Sequence, residues 1–266
     1  MGWRCGLHAD WTELTNCVDN VMDEVEKTVA KRRYFYITIL RDPIQRFISE
    51  WKHVQRGATW KTSRHWCSGR SPSAVELPPC YPGEDWKRVS LDEFLNCPSN
   101  LALNRQTRML ADLTLIGCYN KSVMSAQERD ILMLASAKEN LRSTAFFGLL
   151  ENQTVSQYLF EKTFGMTFRR SFLQLNATRS SNTLEDFSLE ALQRVRQMNH
   201  LDIQLYEFAQ ELLWQRFQEV KKLDPEFEYR FSQINASSWD PDQVEEKMIQ
   251  RIMKQKEEER SHKMTV

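Results

Sequence analysis

No run of eighteen or more apolar residues occurs in this 266-residue chain, so the sequence offers no bilayer-spanning helix. Met1–Asp10 also lacks the apolar core of a secretory leader, and the chain as given reads as soluble. Net charge is absent too: 36 Lys and Arg balance 36 Asp and Glu. The cysteines include no paired C-x2-C knuckle, which disfavours structural zinc built on Cys5, His8 and Cys17 or on His65, Cys67 and Cys80. No metal is expected. Helix-turn-helix, zinc-finger and basic-zipper patterns are missing as well, so nucleic acid is not an expected partner. Gly57–Thr62 looks like the end of a nucleotide-binding Walker loop, but the glycine that should precede Lys61 directly is missing and no strand leads into Gly57.

What the chain does have is most concentrated in Tyr34–Trp51, YFYITILRDPIQRFISEW. Tyr34–Leu40 is a nearly unbroken β-branched and aromatic run, the pattern of a strand buried on both faces of a parallel sheet. Asp42 is suited to cap the helix that follows, and Pro43 fits the first turn, where an N–H would lack an intrahelical partner. A helix N-terminus with free N–H groups beside Arg41 favours an anion, and Ser49 adds a hydroxyl two turns on. From Arg41 to Arg70 there are seven Lys/Arg (41, 46, 52, 56, 61, 64, 70) against Asp42 and Glu50, a local excess of 7 − 2 = +5. Charge segregated in this way beside Trp51 and Trp60 points to a polyanionic partner.

With 41% hydrophobic residues the chain can bury one sizeable core. Residues 1–237 read as one domain and 238–266 as a charged helical or disordered tail. Met1–Leu14 reads as a Gly/Trp-containing loop leading into a helical or irregular segment, and Val18–Lys31 as a charged connection, both outside the core. Leu91–Leu113 suggests two short helices, Leu115–Tyr119 and Ala145–Leu150 short strands, and Gln127–Leu141 and Gln157–Phe164 helices. Phe168–Gln174 reads as extended, and Leu189–Val220 as the longest helix, ended by Pro225. Alternating strand and helix argue for an α/β fold with a parallel sheet. Six cysteines and N-x-Ser/Thr sequons at Asn120, Asn152, Asn176 and Asn235 favour a secretory lumen; three disulfides between near neighbours are expected.

LRDPIQRFISEWKHVQRGATWKTS (residues 40–63), GWRCGLHADWTEL (Gly2–Leu14) and NLALNRQTRMLADL (Asn100–Leu113) closely resemble the heparan sulfate 6-O-sulfotransferases, with the likeness running from about Gly2 to about Lys222. The resemblance implies a P-loop-like sulfotransferase fold with a central parallel sheet flanked by helices. It implies transfer of a sulfuryl group from 3′-phosphoadenosine 5′-phosphosulfate to the 6-hydroxyl of glucosamine in heparan sulfate. His8 would be the catalytic base, a role that suits an imidazole, with Asp10 a candidate to orient it. Arg41 and Ser49 would hold the nucleotide's 3′-phosphate, and Leu173, Gln174, Leu175, Arg179 and Ser180 would form a second nucleotide segment. Trp3, His53 and Trp60 match acceptor positions; Lys52, Arg56, Lys61 and Arg64 are candidate contacts to sulfate and carboxylate groups.

Members of that family are type II membrane proteins of the Golgi, whereas any membrane anchor is absent from this chain. The family's catalytic domain begins with a strand and a lysine- and glycine-containing loop around the donor's 5′-phosphosulfate, and no such segment occurs in this sequence. The sheet is therefore expected to be incomplete at its N-terminal edge, and the chain in isolation to turn over slowly if at all. A non-catalytic heparan sulfate-binding or regulatory module is the alternative.

Overall fold

The computed structural model describes residues 4–5, 9–59, 66–169, 171–172, 184 and 187–234. The tail 238–266 lies outside them. Two parallel strands, β1 (Ile37–Leu40) and β2 (Phe146–Leu149), pair in register from Ile37 opposite Phe146 to Leu40 opposite Leu149. The expected α/β fold is present, with its sheet reduced to these two strands among the described residues. Nine helices of the described residues pack around it: α1 (Trp11–Glu26), α2 (Pro43–Gln55), α3 (Leu91–Asn96), α4 (Arg105–Leu110), α5 (Ala126–Ser143), α6 (Gln153–Phe164), α7 (Leu189–Met198), α8 (His200–Leu223) and α9 (Phe227–Ile234).

β2 is buried at every position, whereas β1 is not: Ile37 and Ile39 are 56% and 62% exposed. The sequence expectation of a β1 buried on both faces is thus corrected. Nothing among the described residues pairs with the second edge of β1, and an open apolar cavity of about 730 Å³ lies beside Ile37, Ile39, Phe146 and Phe160. The main core lies on the other side, where β2, α5, α6, α8 and α9 enclose Phe147, Leu149, Tyr158, Leu205 and Phe231. A second apolar cluster seats α2 against α3 and α7 through Ile44, Phe47, Ile48, Phe94 and Val195.

Several sequence expectations are met and several are overturned. Capping boxes at Ser90 and Ser125 start α3 and α5, because each serine accepts from the backbone of the third helical residue while that residue's glutamate reaches back. Trp11–Glu26 is a helix, the helical alternative for the segment after the N-terminal loop, and it is neither a mere connection nor outside the core: Asp10 caps it, and Thr12, Glu13 and Val18 are buried. Leu115–Tyr119 is not a strand: Leu113–Ile116 forms a 3-10 turn, and Gly117 and Cys118 at φ 69° and 57° turn the chain away from any extended run. Leu189–Val220 is two helices, because Asn199 leaves helical geometry with φ −115° and ψ 29°. Its side-chain amide bonds back to Val195 O, while its oxygen accepts from Asn104 N.

All six cysteines are paired, as Cys5–Cys17, Cys67–Cys118 and Cys80–Cys97. The near-neighbour expectation is right for Cys5–Cys17 and Cys80–Cys97 and is corrected for Cys67–Cys118, which spans 51 residues and encloses the Cys80–Cys97 bridge. The outer bridge ties the long loop after α2 to the turn at Gly117, and the inner one fastens Pro79–Tyr81 to the end of α3. No helix of the described residues is long and apolar enough to cross a membrane.

Candidate active site

β1 ends at Leu40 and α2 begins at Pro43, so Arg41 and Asp42 form the whole joint. Asp42 is the expected N-cap: its Oδ1 accepts from the N–H groups of Ile44 and Gln45 at 3.1 and 2.9 Å. Its carbonyl accepts from Arg46 N, and Pro43 has no N–H. Every donor of the first turn is therefore taken, which corrects the expectation of free N–H groups pointing at an anion. Arg41 N–H and Asp42 N–H are engaged as well, donating to Gln106 Oε1 at 2.8 Å and Glu151 Oε1 at 2.9 Å. An anion at this joint meets side chains and the partial positive charge of the helix end.

Two such side chains belong to the expected pair. Arg41 is half-buried, and burial pushes its guanidinium pKa down, partly offset by the carboxylates of Glu151 and Asp42. Ser49 is half-buried on α2. Seven residues correspond to nearly two full turns, so Ser49 lies under Asp42 on the same side of the helix, about 10 Å along its axis. Gln45, Ser49, His53 and Arg56 make one row along α2, opposite the buried row Ile44, Phe47, Ile48 and Trp51. His53 and Arg56 are exposed at its far end, so a candidate acceptor residue shares a stripe with a candidate nucleotide residue.

The basic stretch is smaller than the sequence suggested. Arg46 is not a groove residue: its side chain is 12% exposed and pairs with Glu50 at 2.5 Å, with Asp202 at 3.7 Å behind it. Arg105 closes the cluster with two bonds to Glu50, at 3.0 and 2.5 Å. Burial opposes the charge of Glu50, but Arg105 and Arg46 outweigh it and hold its carboxyl below the usual range. Arg70 is likewise engaged, in a bidentate pair with Glu76. Lys52 and Arg56 remain as cations with no ion pair among the described residues.

Of the other expected site residues, Trp3, His8, Trp60, Leu173, Gln174, Leu175, Arg179 and Ser180 lie outside the described residues, as do Lys61 and Arg64. The two segments that flank His8 and the joint are nevertheless tied to one element. Thr12 Oγ1, four residues after His8, donates to Ala111 O at 3.2 Å and accepts from Leu113 N at 2.7 Å. Gln106 holds Arg41 from the other end of α4, so the two anchor points are about 8 Å apart along that helix. All three sequence motifs thus converge on α4. Asp10 is occupied as the cap of α1, donating nothing and accepting from Glu13 N at 2.9 Å. Among the described residues no cluster of His, Cys, Asp or Glu has the arrangement of a metal site.

Sequence reasoning missed Gln106 and Glu151, the side chains that hold the joint. Their only sequence signal is that Gln106 falls inside the third motif.

A sulfotransferase family model, described as "Sulfotransferase family", matches residues 9–209, a span that contains β1, the Arg41–Asp42 joint, α2 and α4. The chain belongs to the sulfotransferase family. More narrowly, it is 58% identical over 222 residues to Heparan-sulfate 6-O-sulfotransferase 3-B of Danio rerio, covering 83% of this chain and 52% of that protein. It is 54% identical over 225 residues to Heparan-sulfate 6-O-sulfotransferase 1 of Homo sapiens, covering 84% of this chain and 54% of the relative. The chain spans about half the length of the curated relatives it matches.

Proposed function

We propose that this chain is part of a heparan sulfate 6-O-sulfotransferase, which moves a sulfuryl group from 3′-phosphoadenosine 5′-phosphosulfate to the 6-hydroxyl of glucosamine in heparan sulfate, in the Golgi lumen. The observation that carries the reading is the β1–Arg41–Asp42–α2 joint, a cationic strand end at a helix N-terminus with Ser49 on the same helix side. Arg41 and Ser49 bind the 3′-phosphate, with Leu173, Gln174, Leu175, Arg179 and Ser180 completing the nucleotide site. His8 takes the proton from the acceptor hydroxyl, and Trp3, His53 and Trp60 hold the sugar. Thr12, fixed to the same helix as Gln106, supports a placement of the His8 segment beside the joint.

In this reaction the nucleotide supplies the sulfuryl group and leaves as the 3′,5′-bisphosphate; the protein contributes position and charge. A guanidinium that burial has partly stripped of water suits the doubly charged 3′-phosphate, because fewer water contacts compete with a charge-assisted bond. A contact to the leaving phosphate is worth about 3–4 kcal/mol in the transition state, so sulfuryl transfer to desulfated heparin reports how complete the donor site is.

The test is binding of 3′-phosphoadenosine 5′-phosphate together with that transfer assay. Arg41→Ala weakens nucleotide binding by about 10- to 100-fold. Nucleotide affinity untouched by Arg41→Ala overturns the reading. Salt-sensitive heparin binding through Lys52 and Arg56 without any nucleotide binding establishes the non-catalytic module instead.

A further inference from the structure

We infer that Gln106 is a positioning residue for the 3′-phosphate subsite, acting on Arg41 by gripping its peptide rather than by touching the nucleotide. The inference rests on the reading of Arg41 given above. Pairing between β1 and β2 ends at Leu40 opposite Leu149, and the backbone of Arg41, the next residue, is held by Gln106. Its Oε1 accepts from Arg41 N–H at 2.8 Å, and its Nε2 donates to Arg41 C=O at 2.9 Å. A carboxamide has the same donor and acceptor as a peptide, and here it closes a cyclic pair with the backbone of Arg41.

The grip is buried and braced. Gln106 is 8% exposed, and its own N–H donates to Asp202 Oδ2 at 3.1 Å, while Thr107 N and Oγ1 donate to Asp202 Oδ1 at 2.7 and 2.8 Å. Asp202 is fully buried at the start of α8, whose first N–H groups are capped in return by Asn104 Oδ1. Glu151 holds the next peptide, accepting from Asp42 N–H with one oxygen and from Tyr206 OH with the other. Two successive peptides beyond the sheet are thus fixed by side chains from distant elements. That sets where the Arg41 Cα–Cβ bond points, and it withdraws both backbone donors from any anion. The guanidinium is left as the group that reads the phosphate.

The experiment measures affinity for 3′-phosphoadenosine 5′-phosphate and for adenosine 5′-phosphate, which lacks the 3′-phosphate. Gln106→Leu removes both bonds at similar volume and is expected to weaken the first nucleotide ~10-fold while leaving the second unchanged. In an Arg41→Ala background the same change adds no further loss, since its route runs through Arg41. Gln106→Glu keeps the acceptor for Arg41 N–H but donates to Arg41 C=O only when protonated. Its affinity relative to the parent chain at the same pH therefore recovers as pH falls; that of Gln106→Leu does not.

Hydrogen exchange at the Arg41 amide reports the clamp directly and rises in Gln106→Leu. If that variant does not fold, Gln106→Glu carries the comparison. Equal losses for both nucleotides, full affinity in Gln106→Leu, or undiminished loss in the Arg41→Ala background each overturn the inference while the role of Arg41 stands. A parent chain that does not distinguish the two nucleotides overturns that role and the inference with it.

Discussion

Glu50 has a structural role that its place in the sequence does not announce. It was an acid in a basic stretch; it is the centre of a buried cluster in which Arg46 and Arg105 meet it from α2 and α4. Its side chain is 8% exposed, so removing it takes a buried ion-pair partner from two guanidinium groups, and Glu50→Ala is expected to cost about 3–5 kcal/mol in urea unfolding. Because the folded carboxyl is held below its ordinary pKa, the folded state binds fewer protons than the unfolded one. The stabilisation is present above about pH 4.3 and is lost as pH falls through the depressed folded value. Glu50→Gln removes that acid-side slope, which stability curves at several pH values between about 3 and 6 would show. At this scale the sequence made Arg41, Asp42 and Pro43 legible, because strand end, cap and first-turn proline are local signals. Gln106 and Glu151 were not legible, because their importance comes from contacts 65 and 109 residues away.

Among the elements, α1 shows the limit of reading burial from pattern. Its charged sequence suggested a connection, yet its N-terminus is pinned by Thr12 to the end of α4 and its cap Asp10 is buried. Burial raises the Asp10 carboxyl above its usual pKa despite the Glu13 N–H bond. The charged form is thus held at a cost at neutral pH. Asp10→Asn keeps the cap oxygen without the charge and is expected to be neutral or stabilising. Asp10→Ala loses the cap and about 1 kcal/mol, both read by thermal unfolding at pH 7. If Asp10 also orients His8, Asp10→Asn lowers transfer without lowering stability. Of the helices with strong caps, α5 was legible to within two residues and α3 at its start; the break at Asn199 was not. The apolar stripe of α7 and α8 runs through it, and the bend is held by side-chain bonds: Asn199 to Val195 and Asn104, and Asn104 Oδ1 to the N–H groups of Leu201 and Asp202.

For the whole molecule, the sheet is the telling feature. A short β1 with exposed Ile37 and Ile39 and, among the described residues, no partner on its second edge lies beside an apolar cavity, an arrangement natural sheets avoid leaving open. The chain as given is expected to self-associate at high concentration, and Ile39→Lys is expected to suppress this without loss of cooperative unfolding, by sedimentation and thermal melts. Strand existence was legible from β-branched content; the strand's exposure was not, since composition does not say which neighbours are at hand to cover it. The central claim is that the joint after β1 recognises a nucleotide by its 3′-phosphate. Calorimetric titration of the chain with 3′-phosphoadenosine 5′-phosphate and with adenosine 5′-phosphate tests it most directly: the account predicts binding of the first tighter by about 10- to 100-fold, and equal affinity for the two would contradict it.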